Sequence, residues 1–179
     1  MTQHTTVAVA DDAESGGGPH RGPAVEAGRP PVGRGWTARY ALASTGMWLG
    51  VLTPMGVQLA RQAEKFAPDS KTELLGLTTG LGALVTMLAV PLLGAASDRT
   101  RSRFGRRRPW IAGGAAVAAL GLVLLSLAPG PGWMVAGWVV AQTGLSSVQA
   151  GLVATVPDRV PREQLGSVAG WAGLSPMLG

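Results

Sequence analysis

Long uncharged segments alternate with short charged ones from residue 40 onward. An α-helix needs about 20 apolar residues to cross the ~30 Å hydrocarbon core of a membrane, and most of these segments reach that length. Segments of this kind would not dissolve in water as isolated helices. The pattern therefore predicts an all-α, multi-pass transmembrane protein. The predicted spans cover residues 40–60, 73–97, 110–128, 133–156 and, incompletely, 165–179.

The first 39 residues have a different composition. They are rich in Gly, Pro, Ala and Thr, and they show no apolar periodicity. Such a segment buries too little apolar surface to fold on its own, so we predict a disordered tail over residues 1–39. The acidic residues Asp11, Asp12 and Glu14 occupy the place where a signal peptide would carry its apolar region, which argues against a cleaved leader.

Turn-forming residues and glycines refine this outline. The segment 129–132 (PGPG) predicts a tight exterior turn, and the mixed charges of residues 61–71 predict an exterior loop. Pro54 predicts a kink in the first span. Gly46 and Gly50 are four positions apart on that span, a spacing that favours close packing against another helix.

Basic residues are distributed unevenly between the two predicted membrane faces. The tail, the loop after the second span and the loop after the fourth span hold most of the arginines, whereas Arg61, Lys65 and Lys71 fall on the other face. Lys and Arg are retained on the cytoplasmic side, so this asymmetry predicts a cytoplasmic N-terminus in the cell (inner) membrane. The net charge of +5 therefore describes membrane topology rather than an acidic binding partner.

Six arginines are concentrated between the second and third spans: Arg99, Arg101, Arg103, Arg106, Arg107 and Arg108. A run of arginines can also be a nucleic-acid patch or a solvated helix face. Because membrane-spanning segments flank this run on both sides, we expect no nucleic-acid partner. An anchor at the membrane face explains the arginines but not the other residues of the loop.

Those other residues form an ordered set with the arginines: Gly94, Asp98, Arg99, Gly105, Arg106 and Arg107. The set resembles the cytoplasmic loop between helices 2 and 3 of the major facilitator superfamily. In the commonest form of that motif one or two residues separate Asp-Arg from Gly-Arg, whereas residues 100–104 separate them here. The longer form is similar to the glycoside–pentoside–hexuronide and sucrose-type transporter branches.

The resemblance implies a larger architecture than this chain supplies. The family's unit has twelve helices in two six-helix halves. About five helices would make this chain an N-terminal fragment whose partner is the missing C-terminal half. The resemblance also implies that the loop motif latches the two halves together on the cytoplasmic side.

A second acidic residue could take part in that latch. Asp98 lies at the membrane edge, where a carboxylate must be paired or hydrated. Asp158, in the loop after the fourth span, is the expected partner of an arginine from the central loop, with Arg106 the first choice. The alternative is that Asp158 only caps or solvates its own loop. In related chains Arg-Gly commonly precedes helix 5, whereas this chain has Leu165 and Gly166.

Uncharged polar and aromatic residues are the candidates for solute contact. Ionisable residues occur in the first four spans only at their ends, as Glu73 and Asp98, so this part of the chain predicts no proton relay. Gln142, Ser146 and Gln149 share one face of the fourth helix by their spacing. The complete candidate set is Trp48, Gln58, Trp138, Gln142, Ser146 and Gln149. The alternatives are interhelical hydrogen bonding by Gln and ordinary packing by Trp.

These observations predict a transporter of a small organic solute that works by alternating access, with a sugar or glycoside favoured. Efflux of a drug or metabolite is one alternative. A half-unit that binds and regulates another membrane protein, without transport, is another. We expect no enzymatic activity, no metal and no cofactor, since the two histidines, His4 and His20, lie in the tail and cysteine is absent.

Overall fold

The computed structural model describes residues 31–100 and 107–178. Over these ranges the chain is helical and contains no strand, which confirms the all-α prediction. Short 3₁₀ turns precede the third and sixth helices, at Pro68–Ser70 and Arg162–Gln164. The helices are α1 (Arg34–Thr53), α2 (Leu59–Phe66), α3 (Lys71–Arg99), α4 (Arg108–Ser126), α5 (Pro131–Arg159) and α6 (Leu165–Leu178).

The first helix begins earlier than its apolar pattern predicts. Residues 34–39 belong to α1, so the prediction of a disordered tail is wrong for them, while residues 1–30 lie outside the described residues. The Trp36 ring stacks on that of Tyr40, with centroids 5.5 Å apart and planes 12° from parallel. Such stacking stabilises a helical turn even where the neighbouring residues are charged.

The first helical run also ends later than predicted. It passes through a π turn at Pro54–Gln58 and continues as α2 to Phe66, so residues 61–66 form a helix rather than the predicted loop. The Leu59 amide donates to the Pro54 carbonyl, which is the hydrogen-bond spacing of a π turn. Proline has no amide hydrogen and crowds the preceding turn, so the α-helical pattern breaks at Pro54.

Helix α2 continues because one of its faces is buried. Leu59 and Ala63 are 0% and 1% exposed, and they pack in an apolar cluster with side chains of α4 and α5. That cluster also contains Leu125, Met134, Trp138 and Ala141. A second apolar cluster joins α1, α4, α5 and α6 and contains Tyr40, Met47, Ala118, Leu145, Val148, Leu152, Val160 and Val168. Helix α5 contributes to both clusters and is the central element of the bundle.

Glycines bring α4 and α5 into backbone contact. A Cβ atom added to Gly121 would overlap the backbone of Ala141, and one added to Gly144 would overlap that of Ala118. Small residues allow this close approach in membrane proteins, where van der Waals packing replaces much of the hydrophobic driving force. The two glycines of the first span that the spacing favoured do not meet another backbone in the described part of the chain. A Cβ on Gly46 would have no described atom within 4 Å, and one on Gly50 would meet the side chains of Leu145 and Leu122.

Three of the helices are long and apolar enough to cross a membrane: Pro68–Arg99, Arg108–Ser126 and Pro131–Arg159. They correspond to the second, third and fourth predicted spans. Many large apolar side chains remain exposed on the outside of the bundle, including Leu42, Met87 and Leu127, each at least 74% exposed. An apolar exterior of this extent suits a membrane protein, whose surface is solvated by lipid chains.

Candidate functional site

Three helix ends meet around one guanidinium group. Arg107 immediately precedes α4, and its Nη2 lies 3.1 Å from Asp98 Oδ1 in the last turn of α3. Its Nε donates to Asp158 Oδ2 in the last turn of α5, at 2.6 Å. Its Nη1 also lies 3.4 Å from Ser97 Oγ. We call these four residues, Ser97, Asp98, Arg107 and Asp158, the ion cluster.

Arg107 is the most enclosed charged member of the ion cluster. Its side chain is 13% exposed, against 55% for Asp98 and 39% for Asp158. The hydrogen bond to Asp158 raises the pKa of Arg107. Burial acts in the opposite direction, and the attraction of both carboxylates adds to the increase. The guanidinium therefore stays charged at physiological pH and links α3, α4 and α5 at one end of the bundle.

The other residues of the loop motif have different positions. Gly105 and Arg106 lie outside the described residues, so the predicted Arg106–Asp158 contact stays a prediction. Arg99 is exposed and makes none of the ion-cluster contacts described above. At Gly94, no described atom lies within 4 Å of the place where a Cβ would stand, and its carbonyl accepts a hydrogen bond from Ser97 at 2.8 Å.

A small cavity lies among α1, α3 and α5. Its volume is about 130 Å³. It is lined by Met47, Trp48, Val51, Thr86, Gln142, Leu145, Ser146 and Gln149. Ser146 Oγ lies 3.5 Å from Thr86 Oγ1, which itself donates to the Gly82 carbonyl. Half of the lining residues are polar and half are apolar or aromatic, and none is ionisable, so the cavity offers hydrogen bonds and an aromatic face rather than charge.

The cavity contains four of the six predicted solute-contact residues: Trp48, Gln142, Ser146 and Gln149. Gln58 lies in the π turn and does not line this cavity. Trp138 is 1% exposed and packs in the apolar cluster beside Gly82, so it does not reach the cavity either. Thr86 is the polar lining residue that the candidate set omitted. Nothing in the sequence distinguishes it from other threonines of the second span.

The Trp138 ring occupies space that any side chain at Gly82 would need. A Cβ on Gly82 would collide with the indole ring and would lie 3.3 Å from Cγ of Gln142, a cavity residue. The indole Nε1 of Trp138 is buried and has no hydrogen-bond partner among the described residues. The Trp138 ring and the Gln142 side chain therefore both lie close to Gly82 of α3.

No group of three or more His, Cys, Asp or Glu side chains is placed to hold a metal ion within residues 31–100 and 107–178. The polar groups of the cavity are amides and hydroxyls, which bind other polar neutral groups through hydrogen bonds.

Comparison with known proteins identifies the same family as the loop motif. The family profile described as Major Facilitator Superfamily matches residues 9–179. Human "Solute carrier family 45 member 3" is 41% identical over 63 residues, which are 35% of this chain and 11% of that protein. The human "Proton-associated sugar transporter A" is 42% identical over 82 residues, 46% of this chain and 10% of that protein.

A plant relative matches over a longer stretch. "Sucrose transport protein SUC4" of Arabidopsis thaliana is 28% identical over 111 residues, 62% of this chain and 21% of that protein. The chain thus covers about a tenth to a fifth of the length of these curated relatives. No solved structure gave a significant match.

Proposed function

Because the chain belongs to the major facilitator superfamily, we propose that it forms part of a transporter for a small organic solute, with a sugar or glycoside as substrate. The transporter works by alternating access, in which two helical halves rock around a site between them. A second six-helix half completes the pathway. The similarity to proteins named as sucrose and sugar transporters supports the choice of substrate class.

The observation that carries this proposal is the uncharged polar cavity among α1, α3 and α5. Two glutamines and a serine of α5 face Trp48 of α1 across it. Glutamine amides both donate and accept hydrogen bonds, as sugar hydroxyls do, and the Trp48 ring offers a flat apolar face to a sugar ring. Its volume of about 130 Å³ is below the ~300–1,000 Å³ of complete ligand sites. We infer that it is one wall of a larger site.

The ion cluster has a separate role in this proposal. Arg107 joins the ends of α3, α4 and α5 on the face that holds most of the arginines. Asp98 and Asp158 remain exposed enough to meet a neighbouring helix. We propose that the cluster stabilises the state closed to the cytoplasm, so that its contacts change whenever the two halves rock.

Uptake of radiolabelled sucrose by cells that express the full-length protein tests the substrate proposal. We expect Gln142→Leu and Gln149→Leu to lower uptake about tenfold by raising KM, since each removes hydrogen bonds worth about 1–1.5 kcal/mol. Thr143→Val is the matched control: Thr143 is exposed on the same helix and donates to its own helix at Val139. Extrusion of an apolar dye without sugar uptake would replace this proposal with efflux.

A further inference from the structure

A second, wider cleft runs along the contact between α1 and α6. The two helices begin at the same end of the bundle, where the Val32 amide donates to Gln164 Oε1 at 2.9 Å. The cleft has a volume of about 480 Å³, which falls within the range of small-molecule sites. It is lined by Val32, Arg34, Thr37, Ala38, Ala41, Gln164, Ser167, Val168 and Trp171. It shares no lining residue with the solute cavity.

The polarity of the lining changes along the cleft. The polar lining residues Arg34, Thr37, Gln164 and Ser167 all lie near the helix starts, beside the apolar Val32 and Ala38, whereas the lining residues farthest along the two helices, Ala41 and Trp171, are apolar. From Arg34 to Ala41 the helical rise is about 10 Å, so the change occurs over roughly the depth of a lipid headgroup and the first part of its chain. On both α1 and α6 the polar lining residues lie toward the start of the helix, and the two helices start at the same end of the bundle.

Arg34 places a positive charge at the entrance of the cleft. Within residues 31–100 and 107–178, Arg34 makes no hydrogen bond or ion pair, unlike Arg107 in the ion cluster. Its side chain is exposed at the entrance of the cleft. Trp171 is 53% exposed at the apolar end. The complement of this surface is a molecule with an anionic group at one end and hydrocarbon at the other.

We propose that this cleft binds one anionic phospholipid, with its phosphate against Arg34 and one acyl chain along Ala41, Val168 and Trp171. Basic pockets between membrane helices bind anionic headgroups, and the membrane supplies this ligand at high local concentration. The site is separate from the solute cavity, which is uncharged, so lipid would occupy it without competing with solute. The inference rests on membrane insertion and does not require the proposed sugar specificity.

Native mass spectrometry of the full-length protein from nanodiscs tests the headgroup contact. The nanodiscs contain equal amounts of phosphatidylglycerol and phosphatidylcholine, and the measured quantity is the enrichment of phosphatidylglycerol among retained lipids. We expect Arg34→Gln to reduce this enrichment about fivefold, the loss typical of one basic contact. Arg39→Gln is the matched control, because Arg39 is exposed on the same helix but does not line the cleft.

A second pair of variants tests the acyl-chain contact. Ala38 lines the cleft from an exposed position, so Ala38→Phe fills it without disturbing the core, and Ala43→Phe places the same ring on α1 away from the cleft. We expect only Ala38→Phe to lower lipid retention. Equal losses for Arg34→Gln and Arg39→Gln, no effect of Ala38→Phe, or displacement of the lipid by soluble glycerol phosphate would each overturn the proposal. Retention unchanged in all four variants, as when another helix fills the cleft, would overturn it too.

Discussion

At the scale of single residues, Arg107 links three helices because its guanidinium nitrogens point in different directions. Nε contacts Asp158, Nη2 contacts Asp98 and Nη1 approaches Ser97. A planar fork of donors can serve several partners at once, whereas a lysine ammonium is a single point of charge on a flexible stem. The geometry of the ion cluster therefore depends on arginine and not merely on positive charge.

Replacing Arg107 by Lys tests this dependence. We expect Arg107→Lys to lower the stability of the detergent-solubilised protein by about 1 kcal/mol, a modest value because both carboxylates are partly exposed. Thermal unfolding followed by circular dichroism measures the change. Arg108→Lys is the control, since Arg108 is exposed one position away and makes no ion pair with the described residues. Equal midpoints for both variants would show that charge alone is sufficient.

Sequence spacing did not single out Arg107 as a partner of Asp158. The run contains six arginines, and adjacent positions differ by about 100° around a helix, so the choice depends on where α4 begins. The prediction concentrated on Arg106, which lies outside the described residues, and the contact described is made by Arg107. A similar limit applies to Trp138. Trp138 lies on the part of α5 that is buried with Met134 and Ala141, so it packs in the core rather than lining the cavity.

At the scale of whole elements, α4 and α5 form a closely fitted pair. Glycines from both helices meet backbone atoms of the other, so the fit has no space for even one methyl group at Gly121 or Gly144. Helices in such contact move together, because sliding would bring Cβ atoms into collision with backbone. We expect α4 and α5 to behave as one rigid unit in any conformational change of the bundle.

A pair of glycine variants on α4 tests this packing. We expect Gly121→Ala to destabilise the protein by about 1–3 kcal/mol, the usual cost of overpacking a close contact. Gly113→Ala should be neutral or slightly stabilising, since no described atom lies within 4 Å of a Cβ at Gly113 and alanine favours helix. The unfolding midpoint in detergent distinguishes the two. A neutral Gly121→Ala would mean that the helices lie farther apart than described.

Helix positions were more predictable than helix contacts. Apolar length alone placed α3, α4 and α5 close to their observed bounds, because each is a long uncharged run between charged or Pro-Gly segments. The first helical run was less predictable, since Trp36 and Tyr40 extend its start and the burial of Leu59 and Ala63 extends its end. Both extensions depend on packing partners that are distant in sequence or on ring contacts that hydropathy does not report.

At the scale of the whole molecule, the arrangement of basic residues predicts one orientation in the membrane. The ends of α3 and α5 and the starts of α1 and α6 lie on the face with most of the arginines, and the turn between α4 and α5 lies on the other. The chain contains no cysteine, so each introduced thiol reports on a single position.

Single cysteines and a membrane-impermeant maleimide measure this orientation in intact cells. We expect Ser126→Cys, exposed beside the α4–α5 turn, to react directly. Glu163→Cys, exposed between α5 and α6, should react only after the cells are permeabilised. If Glu163→Cys reacts directly and Ser126→Cys reacts only after permeabilisation, the N-terminus lies outside, and the ion cluster cannot have the cytoplasmic role proposed for it.

The family and the all-α architecture could be predicted from the sequence, but the complete candidate site could not. The loop motif and the apolar spans are local signals, and they led to the family that the profile match shows. The solute cavity requires Trp48 of α1 and Thr86 of α3 to meet residues of α5, and no local pattern specifies that meeting. Spacing on α5 nevertheless identified three of its lining residues, because they share a helix face.

Helices α3 and α5 differ in how much of their apolar surface is buried, and this difference affects how the protein responds to membrane thickness. In the apolar window of the span that contains α3 only 6% of residues are buried, against 50% in that of α5. With 29 residues, α3 is about 43 Å long, well beyond the ~30 Å hydrocarbon core. A span longer than the hydrocarbon core is accommodated partly by tilting, so the tilt of α3 responds to bilayer thickness as well as to its packing against α5. Since Asp98 lies at its end, a thinner or thicker membrane would move one carboxylate relative to Arg107.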